Sequence, residues 1–84
     1  MTSQFIKDAL HYIPNAKLVK AEDLKVGNVV INYRNTKRVY CEITAVDIKD
    51  WIDGYTIVET LQKFPNGNLV TLKYMRKVSM LVVA

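Results

Sequence analysis

The sequence contains few of the residue types that carry out chemistry. Its 84 residues include one cysteine and one histidine. A lone Cys41 excludes a disulfide framework within the chain and a cysteine-only zinc site, and it indicates a reducing compartment. A chain this short needs nearly all of its apolar half for a single core, which argues against an elaborate active site. We therefore expect a single domain, 1–84, that is not an enzyme and uses no cofactor or metal.

Long apolar runs are also missing. No run approaches the roughly 20 residues that a membrane span needs. Lys7 and Asp8 interrupt the first apolar residues, so we expect no signal peptide, no membrane contact and a cytoplasmic location.

The remaining candidates for chemistry lack supporting patterns. His11 lies on a predicted helix without a recognisable nucleophile or orienting group. Asp47, Asp50 and Asp53 recur every third residue, whereas a calcium loop of the EF type places oxygen ligands at alternate positions and ends on a glutamate. We interpret the three aspartates as turn residues of a solvated connection.

Periodicity predicts a short helix followed by a small all-β domain. Phe5, Ile6, Ala9, Leu10 and Ile13 form one stripe at helical spacing, and Pro14 ends the helix, which we place at about 3–13. From about residue 17 to 83, short β-branched and aromatic runs alternate with turn residues, which is typical of a barrel or sandwich. The predicted strands are 17–21, 28–33, 38–46, 55–62, 68–75 and 77–83, and the predicted fold is a five- or six-stranded antiparallel small barrel.

Turn residues and alternation refine this prediction. The segments 34–37, 53–54 and 64–67 have turn chemistry, and 22–25 favours a single helical turn. Alternation places Cys41 on the core side of its strand with Val39, Ile43 and Ala45, and Tyr40 on the other side. The nearly continuous apolar run 78–83 indicates a strand covered on both faces.

A ten-residue segment carries a resemblance to known proteins. The stretch from Ala21 to Val30, AEDLKVGNVV, resembles the helical turn and first strand of SH3-like barrels, of Hint domains and of many small phage and bacterial proteins. The resemblance implies a small barrel and a phage or bacterial accessory protein. It does not imply Hint self-processing, which needs a nucleophile where this chain has Ala21 and a later histidine where it has none.

Basic and aromatic residues form two clusters in the sequence, within a net charge of +4. Small barrels bind single-stranded nucleic acid by stacking bases on exposed aromatic rings beside a cationic groove. We therefore predict a binding module that contacts single-stranded nucleic acid or another protein, with Tyr40 as the best stacking candidate. If the clusters adjoin, they mark one surface, and if they lie apart, the charge indicates only solubility. The first cluster is Tyr33, Arg34, Lys37, Arg38 and Tyr40, and the second is Lys73, Tyr74, Arg76 and Lys77.

An alternative interpretation is a protein-interaction or structural module that forms homo-oligomers. The amphipathic helix and the apolar last strand would supply the contact surface. Trp51, in a polar connection, either caps one end of the barrel or anchors a partner.

Overall fold

The computed structural model describes residues 4–83, with the side chains of residues 7, 8 and 10–83. One helix, α1 (Gln4–Tyr12), precedes six strands, and none of the described helices is long and apolar enough to cross a membrane. The predicted helix start at residue 3 and the stripe side chains Phe5, Ile6 and Ala9 lie outside this description. The strands are β1 (Ala16–Lys20), β2 (Val29–Arg34), β3 (Lys37–Asp50), β4 (Thr56–Lys63), β5 (Leu69–Met75) and β6 (Ser79–Val83).

The mainly β prediction is confirmed, with one long strand that the sequence pattern underestimates. The predicted strand 38–46 extends to Asp50, because residues 47–50 pair with the start of β4. The interpretation of Asp47 and Asp50 as turn residues is therefore wrong, whereas Asp53 lies in a short 3-10 turn, Ile52–Gly54. The backbone hydrogen bonds of the β3–β4 ladder outweigh the low strand propensity of aspartate.

All six strands form one antiparallel sheet in the order β1-β6-β2-β3-β4-β5. The two edges are β1 and β5, and among the described residues no strand pairing joins them. The sheet is therefore open, and barrel closure stays a prediction.

One core cluster nevertheless receives side chains from every strand. Val30, Ile43, Val58 and Val82 are fully buried in it, and Val19 of β1 and Tyr74 of β5 pack against it. Five strand spacings of about 4.8 Å would separate β1 from β5 in a flat sheet. The sheet must therefore curl strongly, so that its concave face encloses the core.

The last strand is buried on both faces, as predicted. Met80 and Val82 point into the main core, whereas Leu81 forms a second cluster with Ile31 on the convex face. Ile13, which follows α1, packs against this second cluster together with Ala16 and Tyr33. The strand thus contributes to both apolar layers.

A β-bulge changes the direction of the side chains in the middle of β3. The register with β4 shifts between Ile43 and Ala45, so that Thr44 is the extra residue. Ile43 remains in the core, but Ala45 is exposed and Val46 packs against the core instead. The predicted core position of Ala45 is wrong, because strict alternation does not hold across a bulge.

The predicted turns at both ends of β2 are present. Before β2, Ala21–Asp23 form a 3-10 turn and Gly27 has a φ of 96°, which a residue without Cβ adopts without strain. After β2, Arg34 pairs with Lys37 across a two-residue tip in which Asn35 and Thr36 have φ of 48° and 68°. Positive φ at both tip residues is the type I′ geometry that matches the twist of a hairpin.

Candidate nucleic-acid interface

The hairpin formed by β2 and β3 brings the first basic cluster together. We call Tyr33, Arg34, Lys37, Arg38 and Tyr40 the basic hairpin. Its strands pair Tyr33 with Arg38 and Arg34 with Lys37, so side chains emerge on both faces of the ribbon. All three cations are exposed.

Arg38 lies between two tyrosines on the convex face. Tyr33 is half-buried against the second apolar cluster, and Tyr40 is 42% exposed two residues after Arg38. A side-chain hydrogen bond with Tyr33 raises the pKa of the Arg38 guanidinium above its ordinary value, and Tyr40 adds to the effect. The charge is thus permanent, and the exposed Tyr40 ring lies where a base could stack.

The second basic cluster does not form a comparable surface. Tyr74 points into the concave core, and burial raises the pKa of its hydroxyl. Lys73 lies on the opposite face of β5, with its Nζ 3.8 Å from Glu59 Oε2. Arg76 Nε and Lys77 Nζ each lie 3.5 Å from a carboxylate oxygen of Glu22.

The two clusters lie at opposite ends of the β4–β5 hairpin. Arg76 and Lys77 adjoin the start of β4 around a shallow cavity that includes Thr56. Arg34 instead lies over Phe64, beyond the end of β4, and the strand between these ends spans roughly 20 Å. The clusters therefore do not adjoin.

The negative charge is distributed unevenly between these ends. Asp50, Asp53 and Glu22 lie around the end that carries Arg76 and Lys77. Glu59 is itself paired, because its Oε1 lies 3.1 Å from Lys49 Nζ. Among residues 4–83, no ion pair within 4 Å involves Arg34, Lys37 or Arg38. Arg34, Lys37 and Arg38 are thus three neighbouring cations without an ion pair, although Lys7, Lys17, Lys20, Lys25 and Lys63 also form none in the part of the chain that the structure describes.

A cavity of about 390 Å³ lies beside the basic hairpin, between β2 and the β4–β5 turn. The Arg34 guanidinium carbon is 5.7 Å from the centroid of the Phe64 ring, which is within cation–π range. We call this cavity the Arg34–Phe64 pocket. Besides these two residues and Tyr33, it is lined by the amides Asn32, Asn66 and Asn68 and by the apolar side chains Val70 and Leu72.

A chain of polar side chains continues from this pocket into the core. Asn32 Nδ2 donates hydrogen bonds to Cys41 Sγ at 3.3 Å and to Gln62 Oε1 at 3.1 Å. Gln62 is fully buried, and its Nε2 donates to Thr60 Oγ1 at 3.0 Å and to the Tyr74 hydroxyl at 2.9 Å. Buried polar groups with all partners in place rigidify a core, so this chain fixes the position of Asn32.

Three other predicted positions have clear places in the structure. Trp51 is 49% exposed, and Lys73 Nζ lies 5.3 Å from its ring centroid, so the ring rests beside the edge strand β5 and not in the core. Cys41 is fully buried, as predicted from alternation. His11 is exposed near the end of α1, beside the ring of Tyr12. No group of three or more metal-ligating side chains occurs among the described residues.

Sequence reasoning did not identify two residues of this region. Phe64 reads as part of a turn, although an aromatic ring next to Pro65 is a signal for a side chain that folds onto the structure. Gln62 is the last residue of the predicted strand 55–62, and only its spacing of four from Val58 indicates that it shares the inner face. Comparison with protein-family models, with curated proteins and with solved structures finds no match to this chain.

Proposed function

We propose that this protein is a non-catalytic module that binds single-stranded nucleic acid through the basic hairpin. The observation that supports it is the clustering of three exposed cations, Arg34, Lys37 and Arg38, on one hairpin, with Arg38 on the same face as the exposed Tyr40 ring and the other two on the opposite face. Cations neutralise backbone phosphates and release condensed counterions, and exposed rings accept stacked bases.

The open, strongly curled sheet is consistent with an SH3-like small barrel, which we propose as its architecture. The support is the convergence of six strands on one core and the 3-10 turn before β2. In such folds, loops and strand ends at one end of the sheet carry the binding residues.

Self-association through the helix and the last strand has less support. Met80, Leu81 and Val82 are all at least nine-tenths buried within the chain, and Val82 and Val83 lie between β1 and β2. A second copy would have to use a surface other than these side chains.

The test is a titration of a fluorescently labelled single-stranded oligonucleotide, followed by anisotropy at several salt concentrations. If three cations each contact one phosphate, the logarithm of the association constant should fall with the logarithm of the salt concentration with a slope of about −2. This slope corresponds to a roughly twentyfold loss of affinity between about 50 and 200 mM salt. The triple variant R34Q/K37Q/R38Q should flatten this slope and weaken binding at low salt.

The matched control is K73Q/R76Q/K77Q, which removes the same charge from the opposite end. We expect it to bind like the wild type, because its cations already face Glu59 and Glu22. Equal weakening by both variants would show that only net charge matters, and no binding at low salt would disprove the proposal.

A further inference from the structure

The amide of Asn32 has an orientation that can be derived from its neighbours. The carbonyl oxygen of Leu72 can only accept, so the single hydroxyl hydrogen of Thr60 is committed to it at 2.9 Å. Thr60 Oγ1 can then only accept from Gln62, which places the Gln62 nitrogen toward Thr60. The Gln62 oxygen must therefore face Asn32 and accept from its nitrogen.

The consequence is a fixed acceptor at the wall of the Arg34–Phe64 pocket. Both hydrogens of Asn32 Nδ2 are directed inward, to Gln62 Oε1 and Cys41 Sγ. No described residue donates to Asn32 Oδ1, and among the described side chains no buried oxygen is left without a partner, so Oδ1 is open to the pocket. The pocket thus offers an acceptor that cannot rotate without breaking the buried chain.

The rest of the pocket suits a flat ring. Phe64 and the Arg34 guanidinium provide planar surfaces, and Val70 and Leu72 provide an apolar wall. Its volume of about 390 Å³ lies in the range of small-molecule sites. A planar heterocycle that carries an N–H on its edge satisfies the aromatic, apolar and acceptor groups together.

We propose that the Arg34–Phe64 pocket binds one nucleobase of the single strand, stacked against Phe64 and donating an edge N–H to Asn32 Oδ1. This inference rests on the proposed function and adds a base-binding subsite to phosphate contacts that carry no base preference. Asn32 is the specificity-determining residue, and Gln62, Thr60 and Tyr74 position it.

The experiment compares three probes of equal length and charge: oligothymidylate, an abasic oligomer, and an oligomer of N3-methylthymidine. The abasic oligomer lacks the bases that would stack on Phe64 and on Tyr40, and the loss of the Phe64 base alone predicts binding about 5- to 150-fold weaker than that of oligothymidylate. The N3-methyl oligomer keeps the ring but lacks the N–H, so we expect a loss of about tenfold, as for one hydrogen bond.

Variants locate the base contact in this pocket. Phe64→Leu keeps an apolar side chain but removes the aromatic face, and it should weaken oligothymidylate binding without affecting the abasic oligomer. The control Tyr55→Leu changes a ring that is 56% exposed at the opposite end of the sheet, and it should change neither affinity. Urea unfolding of both variants establishes that each is folded under the binding conditions.

The outcomes separate the two proposals. Equal binding of all three probes, or wild-type discrimination by Phe64→Leu, would overturn the base subsite while leaving phosphate binding by the basic hairpin intact. Binding of none of the probes at low salt would overturn the proposed function and the subsite with it.

Discussion

Replacing Tyr74 with phenylalanine removes one hydroxyl from the interior of the sheet. That hydroxyl accepts a hydrogen bond of 2.9 Å from Gln62 Nε2. Because Gln62 is fully buried, water cannot replace the lost partner. An unsatisfied buried donor costs about 1–3 kcal/mol, and the half-buried position of Tyr74 favours the lower part of that range. We expect the free energy of unfolding to fall by about 1–2 kcal/mol.

The same substitution changes the dependence of stability on pH. Burial raises the pKa of the Tyr74 hydroxyl above its ordinary value of 10.0, and the hydrogen bond from Gln62 only partly opposes this. The native state therefore holds this proton more tightly than the unfolded chain does. Its contribution to stability is fully present below about pH 10 and is lost as the pH rises through the native pKa. The phenylalanine variant has no such proton, so the stability difference between wild type and Tyr74→Phe should narrow above about pH 10.

Urea unfolding followed by circular dichroism measures both effects. At pH 7 the midpoint should fall with an unchanged m value, and the melting temperature should fall by about 4–8 °C for each kcal/mol. Tyr55→Phe, which changes an exposed tyrosine, is the control and should leave both quantities unchanged. Wild-type stability of Tyr74→Phe at neutral pH, or a difference that stays constant up to about pH 11, would refute the reasoning.

Two further predictions concern the hairpin tip and the free thiol. Thr36→Gly should raise the free energy of unfolding by about 0.5–1.5 kcal/mol, because a β-branched residue at φ 68° is strained. Urea unfolding midpoints measure this change, and Thr71→Gly in β5 is the control that should destabilise the protein. A Thr36→Gly protein less stable than the wild type would contradict the prediction. Cys41, which is fully buried, should react with a thiol reagent only as fast as the protein opens. The labelling rate can be followed by absorbance. Rapid labelling of the native protein, at a rate that low concentrations of urea do not change, would contradict the prediction by showing that the thiol is accessible in the folded state.

The sequence predicts the strands because their apolar residues alternate and their turns carry distinctive residues. It fails at Ala45, since the bulge at Thr44 reverses the faces without leaving a signal in the composition. It also fails at Asp47 and Asp50, where pairing with β4 decides the structure. Both errors arise from pairing with the next strand, β4, which the residue pattern within a single strand does not contain.

The candidate site was predicted only in part for a similar reason. The basic hairpin is local, so its members are brought together as the sequence indicates. The second cluster separates because Tyr74 is needed in the core and Arg76 and Lys77 pair with Glu22. The contact of Arg34 with Phe64 depends on the curl of the whole sheet, which single-strand patterns do not contain.

The position of β6 in the sheet has a consequence for the synthesis of this protein on the ribosome. β6 is made after the other five strands, yet within the described sheet it is the strand that joins β1 to the rest. Ala16 pairs with Val83 across nearly the whole described chain, and such long-range pairing forms slowly. The edges of β1 and β2 that pair with β6 thus stay unpaired until β6 is made, and the complete sheet can assemble only once Val83 has left the exit tunnel.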